Sequence, residues 1–166
     1  MLGHSFGGQL AIRYCSTYPN RVSKLILIAN SGIKDNSPQA MLKRKIFRLL
    51  AKIGKKITKS NFFRFLLYKL TREGDYYSAS PLLRRTMAKV INDQIISDLP
   101  KITIPTCIIW GKLDKTTPVK NAQLVHDQIS HSRLEYIKQA SHAPQFSHPQ
   151  QTANIISSFL TRLVVK

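Results

Sequence analysis

Near the start of the chain, Gly3-His4-Ser5-Phe6-Gly7, with Gly8 behind them, follow the pattern G-x-S-x-G. This is the pattern of a nucleophile elbow, a sharp strand-to-helix turn that holds a serine in a strained backbone conformation. The glycines have a steric purpose. Without Cβ atoms at Gly3 and Gly7, the strand end and the first helical turn can approach closely while Ser5 projects its Oγ outward. The N–H of Phe6, at a helix start, then points toward charge developing on a substrate oxygen and makes Phe6 the candidate oxyanion donor. A glycine-rich turn that merely opens a helix would have the same pattern, so the elbow needs partners. A serine hydroxyl attacks only when a base takes its proton, and that base needs a third group to orient it. Asp114, in Trp110-Gly111-Lys112-Leu113-Asp114, and His142, in Gln139-Ala140-Ser141-His142-Ala143-Pro144, are the candidates, with Asp98 the nearby substitute for Asp114. His126, His131 and His148 fall at or beside helix ends and read as ordinary surface residues. His4 adjoins the serine, yet inside the elbow its side chain is expected to point another way.

The elements around these residues explain why the three belong together. Phe6 to Tyr18 has helical spacing, with Leu10, Ala11, Tyr14, Cys15 and Tyr18 on one face, and Pro19-Asn20 ends it. Lys24 to Ala29 is a continuous apolar run, as in a strand buried on both faces. Thr106 to Trp110 is a second such strand, bounded by Pro105 and Gly111. Val119 to Ile129 reads as a helix, Leu134 to Ile137 as a short strand, and Gln150 to Val165 as a final helix with Ile155, Ile156, Phe159, Leu160 and Leu163 inward. Three strands joined by helical crossovers imply an α/β fold with a doubly wound parallel sheet. Function in such a sheet gathers at the strand C-terminal ends, which is where Ser5, Asp114 and His142 fall, in that order.

These residues resemble an α/β-hydrolase fold protein of the serine-hydrolase branch. The matching pieces are Gly3 to Gly8; Tyr18-Pro19-Asn20-Arg21-Val22 leading into Leu25 to Ile28; Pro105 to Asp114 with Pro118; and Ser141-His142 with Pro149. The resemblance implies Ser5 as nucleophile, His142 as general base and Asp114 as the residue that orients it. It also implies an acyl-enzyme route on a carboxylic ester or related acyl substrate, without cofactor or metal. A serine nucleophile points away from the dehalogenase and epoxide-hydrolase branches. The resemblance further implies strands and an oxyanion-donor loop ahead of the elbow. None of that precedes Met1, so a truncated form with little activity alone is expected. Loss of those strands is also expected to leave the Lys24–Ala29 run as an open apolar edge.

The domain reading has three parts: residues 1–32 and 100–166 as hydrolase core, and 33–99 as a basic helical insertion where the family places its lid. The 166-residue chain carries a formal net charge of +18. Much of that excess lies in 41–59, where Leu42, Ile46, Leu49, Leu50, Ile53 and Ile57 form one stripe and lysines and arginines occupy the rest. The first reading is a solvated cationic face above an apolar stripe that roofs the acyl pocket. The second is attraction to an anionic membrane surface, and nucleic acid is not expected because the aromatics follow the apolar stripe. A non-catalytic module binding membranes or acidic partners through this segment is the competing function. With no secretory signal and no apolar run of about 18 residues, the expected location is cytoplasmic with a peripheral place at membranes. Cys15 and Cys107 read as buried reduced thiols.

Overall fold

The computed structural model describes residues 1–34, 41–42, 45–46 and 80–161. The chain divides into two compact units, one made of Met1–Ile33 with Gln94–Lys166 and the other of Lys34–Asp93. In the first unit, four strands form a parallel sheet in the order β1-β2-β3-β4. They are β1 (Leu2–His4), β2 (Leu25–Ile28), β3 (Thr106–Gly111) and β4 (Ser132–Ile137), with Leu2 opposite Ile26, Leu25 opposite Thr106 and Thr106 opposite Ser132. This is the α/β parallel architecture that the strand–helix alternation implies.

All four residues of β2 and all six of β3 are buried. Side chains alternate between the two faces of a strand, so burial of every residue requires both faces to be covered. Helix α1 (Phe6–Thr17) covers β1 and β2. Helices α3 (Lys120–Gln128) and α5 (Pro149–Thr161) pack on β3 and β4, and the short α4 (Pro144–Ser147) precedes α5. Trp110 is the largest fully buried side chain, and its indole N–H finds the Thr117 carbonyl at 3.2 Å. Both cysteines are buried and free; burial raises both thiols, Cys107 to about 11 even with Arg133 opposing it, so neither ionises at neutral pH.

Three expectations need correction. The β2 run is not an open edge: β1 pairs with it, and the Met1 carbonyl accepts from Ile26 N–H at 2.9 Å, so β1 is the outer strand of the described sheet. Three residues are enough for this because a parallel pair needs only a short aligned ladder once the elbow fixes one end. Helix α1 buries Gly8, Gln9, Ala11, Ile12 and Cys15, while Leu10, Tyr14 and Tyr18 are exposed. These three, with Met1 and Leu2, line an open groove of about 590 Å³ beside β1. The buried side of α1 combines Gly8, Ala11 and Cys15 with Ile12 and Gln9, so it is rotated away from the face that Leu10, Tyr14 and Tyr18 share. On α5, Phe159 is buried but Leu160 is half exposed, so the inward stripe is narrower than its periodicity suggests.

Within the second unit, α2 (Pro81–Asn92) starts at Ser80, whose Oγ accepts from Leu83 N–H at 3.3 Å, with Pro81 at the first helical position. Most of the segment 41–59 lies outside the described residues. Of its apolar stripe, Leu42 and Ile46 are described, and both are helical and exposed. Among the described residues, no helix is long and apolar enough to cross a membrane.

Candidate active site

Ser5 sits between β1 and α1 at φ 51°, ψ −118°. A non-glycine residue there is strained by about 1–3 kcal/mol, so the surroundings must hold it. They do so through the backbone. Ser5 N–H donates to the Ile28 carbonyl at 3.0 Å, and the Ser5 carbonyl accepts from Gly8, Gln9 and Ser31. The close approach that the sequence pattern asks for is real at Gly3, where a Cβ would meet the Gly7 carbonyl oxygen at 2.5 Å. At Gly7 nothing lies within 4 Å, so the second constrained glycine is Gly8, packed on Asn30, rather than Gly7.

The C-terminal ends of β3 and β4 supply the other two groups. His142 Nε2 lies 3.0 Å from Ser5 Oγ, and His142 Nδ1 lies 2.9 Å from Asp114 Oδ2. Burial pushes the Asp114 carboxyl up, but hydrogen bonds from the Thr117 and His142 side chains and the Thr117 and Thr116 N–H groups outweigh it, leaving the carboxyl below its ordinary value. An ionised carboxylate only accepts, so Nδ1 carries the imidazole proton. In neutral His142, Nε2 is then the acceptor, and Ser5 Oγ–H donates to it. The tautomer follows from the network. The Asp114 side chain is fully buried, whereas His142 stays about a fifth exposed.

Asp98, the substitute acid, is elsewhere: it is buried against Arg13 and Lys101, with Lys101 Nζ at 3.0 Å. His126 bonds the Ser132 hydroxyl, His148 bonds the Ser147 hydroxyl, and His131 is exposed. His4 departs from expectation: its ring reaches the His142 loop. Phe6 is the first residue of α1, where an α-helix leaves its N–H without an intrahelical acceptor.

Thr117 escapes sequence reasoning altogether. Its N–H donates to Asp114 Oδ1 at 3.0 Å and its hydroxyl to Oδ2 at 2.6 Å, while Thr116 N–H reaches Oδ1 at 2.7 Å. The available signal was a Thr three residues after an Asp at a strand end, an Asx-type turn. Because the folded carboxyl lies below its unfolded value, Asp114 contributes stability above about pH 4 that is lost as pH falls through the folded value. Thr117→Val removes one donor and raises that value. The acid-unfolding midpoint should therefore move to higher pH, with about 1.5–3 kcal/mol lost at neutral pH. Thr117→Ser should restore both. Circular dichroism followed from pH 7 to pH 2 checks this, and coincident acid transitions for the wild type and Thr117→Val would contradict it.

Residues 1–147 match the family model described as serine aminopeptidase, S33. The chain belongs to this α/β-hydrolase family. It is 25% identical to a monoacylglycerol lipase of Mus musculus over 96% of its own length and 54% of the lipase. With a pimeloyl-[acyl-carrier protein] methyl ester esterase of Aliivibrio salmonicida it shares 29% identity, covering 96% of this chain and 67% of the esterase. Among solved structures, an α/β-hydrolase enzyme from a Mar Chica lagoon sediment metagenome superposes with a TM-score of 0.62 at 25% identity, over 96% of this chain and 59% of that one. The α/β-hydrolase chain thus spans about half the length of the first curated relatives it matches.

Proposed function

We propose that the chain carries the nucleophile, base and acid of a serine hydrolase that cleaves a carboxylic ester through an acyl-enzyme. The observation that carries this reading is the continuous run of contacts from Ser5 Oγ to His142 Nε2 at 3.0 Å and from His142 Nδ1 to Asp114 Oδ2 at 2.9 Å. Ser5 Oγ attacks the ester carbonyl carbon as His142 Nε2 takes its proton. The carbonyl oxygen becomes an oxyanion facing the Phe6 N–H. Asp114, ionised and bonded to Nδ1–H, stabilises the imidazolium. Collapse of the tetrahedral intermediate breaks the ester C–O bond, and the alcohol leaves with the proton from Nε2. Water then gives a proton to Nε2 as it attacks the acyl carbon. Collapse breaks the acyl C–Oγ bond while Nε2 returns that proton to Ser5 Oγ, releasing the carboxylic acid and restoring the starting state. The relatives named as a lipase and a methyl ester esterase support an ester over an amide.

The test is reaction with a fluorophosphonate, which forms an adduct on an activated serine without needing turnover. Mass spectrometry should place the adduct on Ser5, with labelling suppressed by prior phenylmethylsulfonyl fluoride. Steady hydrolysis of a short p-nitrophenyl ester by these 166 residues alone should be slow, because Phe6 is one oxyanion donor where the family resemblance implies two. One donor is worth about 2.7–4 kcal/mol of transition-state stabilisation. An adduct on any other residue, or none at millimolar probe, would refute the assignment of Ser5.

A further inference from the structure

We propose that His4 is a positioning residue that fixes the His142 loop, so that the elbow grips its base at two points. Residues 4 and 5 are consecutive, and in a regular strand their side chains would face opposite ways. The positive φ of Ser5 bends the chain between them. As a result both reach the same residue: Ser5 Oγ meets the His142 ring, and His4 Nε2 lies 2.9 Å from the His142 carbonyl oxygen. A carbonyl only accepts, so His4 must carry its proton on Nε2. The two rings lie 5.0 Å apart between centroids and tilted by 50°. The titratable groups gathered at His142 are therefore Asp114 on Nδ1 and His4 on the carbonyl and ring side.

The mechanical consequence follows from counting the restraints on the imidazole. The Asp114 contact fixes Nδ1, but a ring held at one atom still swings if its peptide turns. The His4 bond pins that peptide. With both in place, Nε2 is held toward Ser5. Without His4, the 142 carbonyl can rotate and Nε2 departs from the Ser5 line. A misplacement of about 1 Å is enough to cost about 10²-fold in rate. This inference rests on the reading of Ser5, Asp114 and His142 given above, and one arm of its test is independent of that reading.

The experiment compares wild type with His4→Gln, whose amide Nε2–H can occupy the same donor position, and with His4→Leu and His4→Asn, which cannot reach it. Fluorophosphonate labelling is resolved into a maximal rate and a half-saturating concentration, with melting temperatures measured in parallel. Expected is a fall of roughly 10–100-fold in the maximal rate for Leu and Asn at unchanged half-saturation, and recovery to within about threefold for Gln. If His4→Leu fails to fold, the Gln-to-Asn comparison carries the same contrast. Independently of any reaction, ring ¹⁵N shifts should show the Nε2–H tautomer for His4. The His142 Nδ1–H resonance should broaden in His4→Asn and stay sharp in His4→Gln. Asn labelling as fast as Gln would overturn the proposal, as would an Nδ1–H tautomer at His4. If wild-type Ser5 takes no label, the serine-hydrolase reading fails, and the NMR arm alone decides whether His4 holds the loop.

Discussion

Ser5→Ala should abolish fluorophosphonate labelling and reduce ester hydrolysis by on the order of 10⁶-fold or to background, the scale seen when a triad nucleophile is removed. The loss should come without unfolding. Alanine at position 5 keeps a Cβ at φ 51° and therefore keeps the backbone strain, so the melting temperature should stay nearly constant. Ser5→Gly separates the two effects. Glycine accepts positive φ freely, and the relief of about 1–3 kcal/mol exceeds its added unfolded-state entropy of about 0.5–1 kcal/mol. Ser5→Gly should therefore be as inactive as Ser5→Ala yet measurably more stable. A glycine variant that melts below the alanine variant would show that the turn is not strained against its serine. Retained labelling in either would show that the probe reads another nucleophile.

Among the described glycines, Gly111→Ala has the largest expected effect of an added methyl group. Gly111 ends β3 opposite Ile137, and a Cβ there would lie 2.1 Å from the Ser141 carbonyl oxygen and 2.4 Å from that of Ala140. Both obstacles are backbone, and neither is free to move. The Ala140 carbonyl already accepts from Leu113 N–H at 2.9 Å, and Ala140 N–H donates to Ile137 at 3.2 Å. The methyl must push the Ser141–His142 segment away from the Asp114 turn, which begins at Gly111 itself through the Asp114 N–H bond to its carbonyl. Overpacking of a site that cannot relax costs about 3 kcal/mol or more. The labelling rate should fall at least about 10²-fold as Nε2 leaves its line to Ser5. Chemical denaturation and labelling together check this. Activity preserved alongside lost stability would mean that the loop moves as a rigid piece and carries Asp114 with it.

The order Ser5, Asp114, His142 and the parallel α/β sheet were legible because their signals are local. G-x-S-x-G is written in consecutive residues, and a strand buried on both faces shows itself as an unbroken apolar run such as Leu25 to Ile28. The side of α1 that turns inward was not legible. Periodicity marks Leu10, Ala11, Tyr14, Cys15 and Tyr18 as one face, but only Ala11 and Cys15 of that face turn inward, beside Gly8, Gln9 and Ile12. Which edge of the face meets the sheet is set by helix–sheet packing. Likewise, the strand feeding the elbow was legible only as the short lead Met1-Leu2, with no sign of its pairing. Its three residues acquire meaning only when Ile26 to Ile28 run alongside. Thr117 and His4 were invisible for the same reason: each acts on a group whose neighbourhood is assembled by folding, Thr117 on Asp114 through the turn after β3, and His4 on a carbonyl 138 positions away in sequence. Sequence by itself determined which residue types stand at the strand ends, because each is specified by its immediate neighbours. Only tertiary structure decided which atoms of those residues meet, because hydrogen-bond geometry is set by strand register and loop packing that no local pattern encodes.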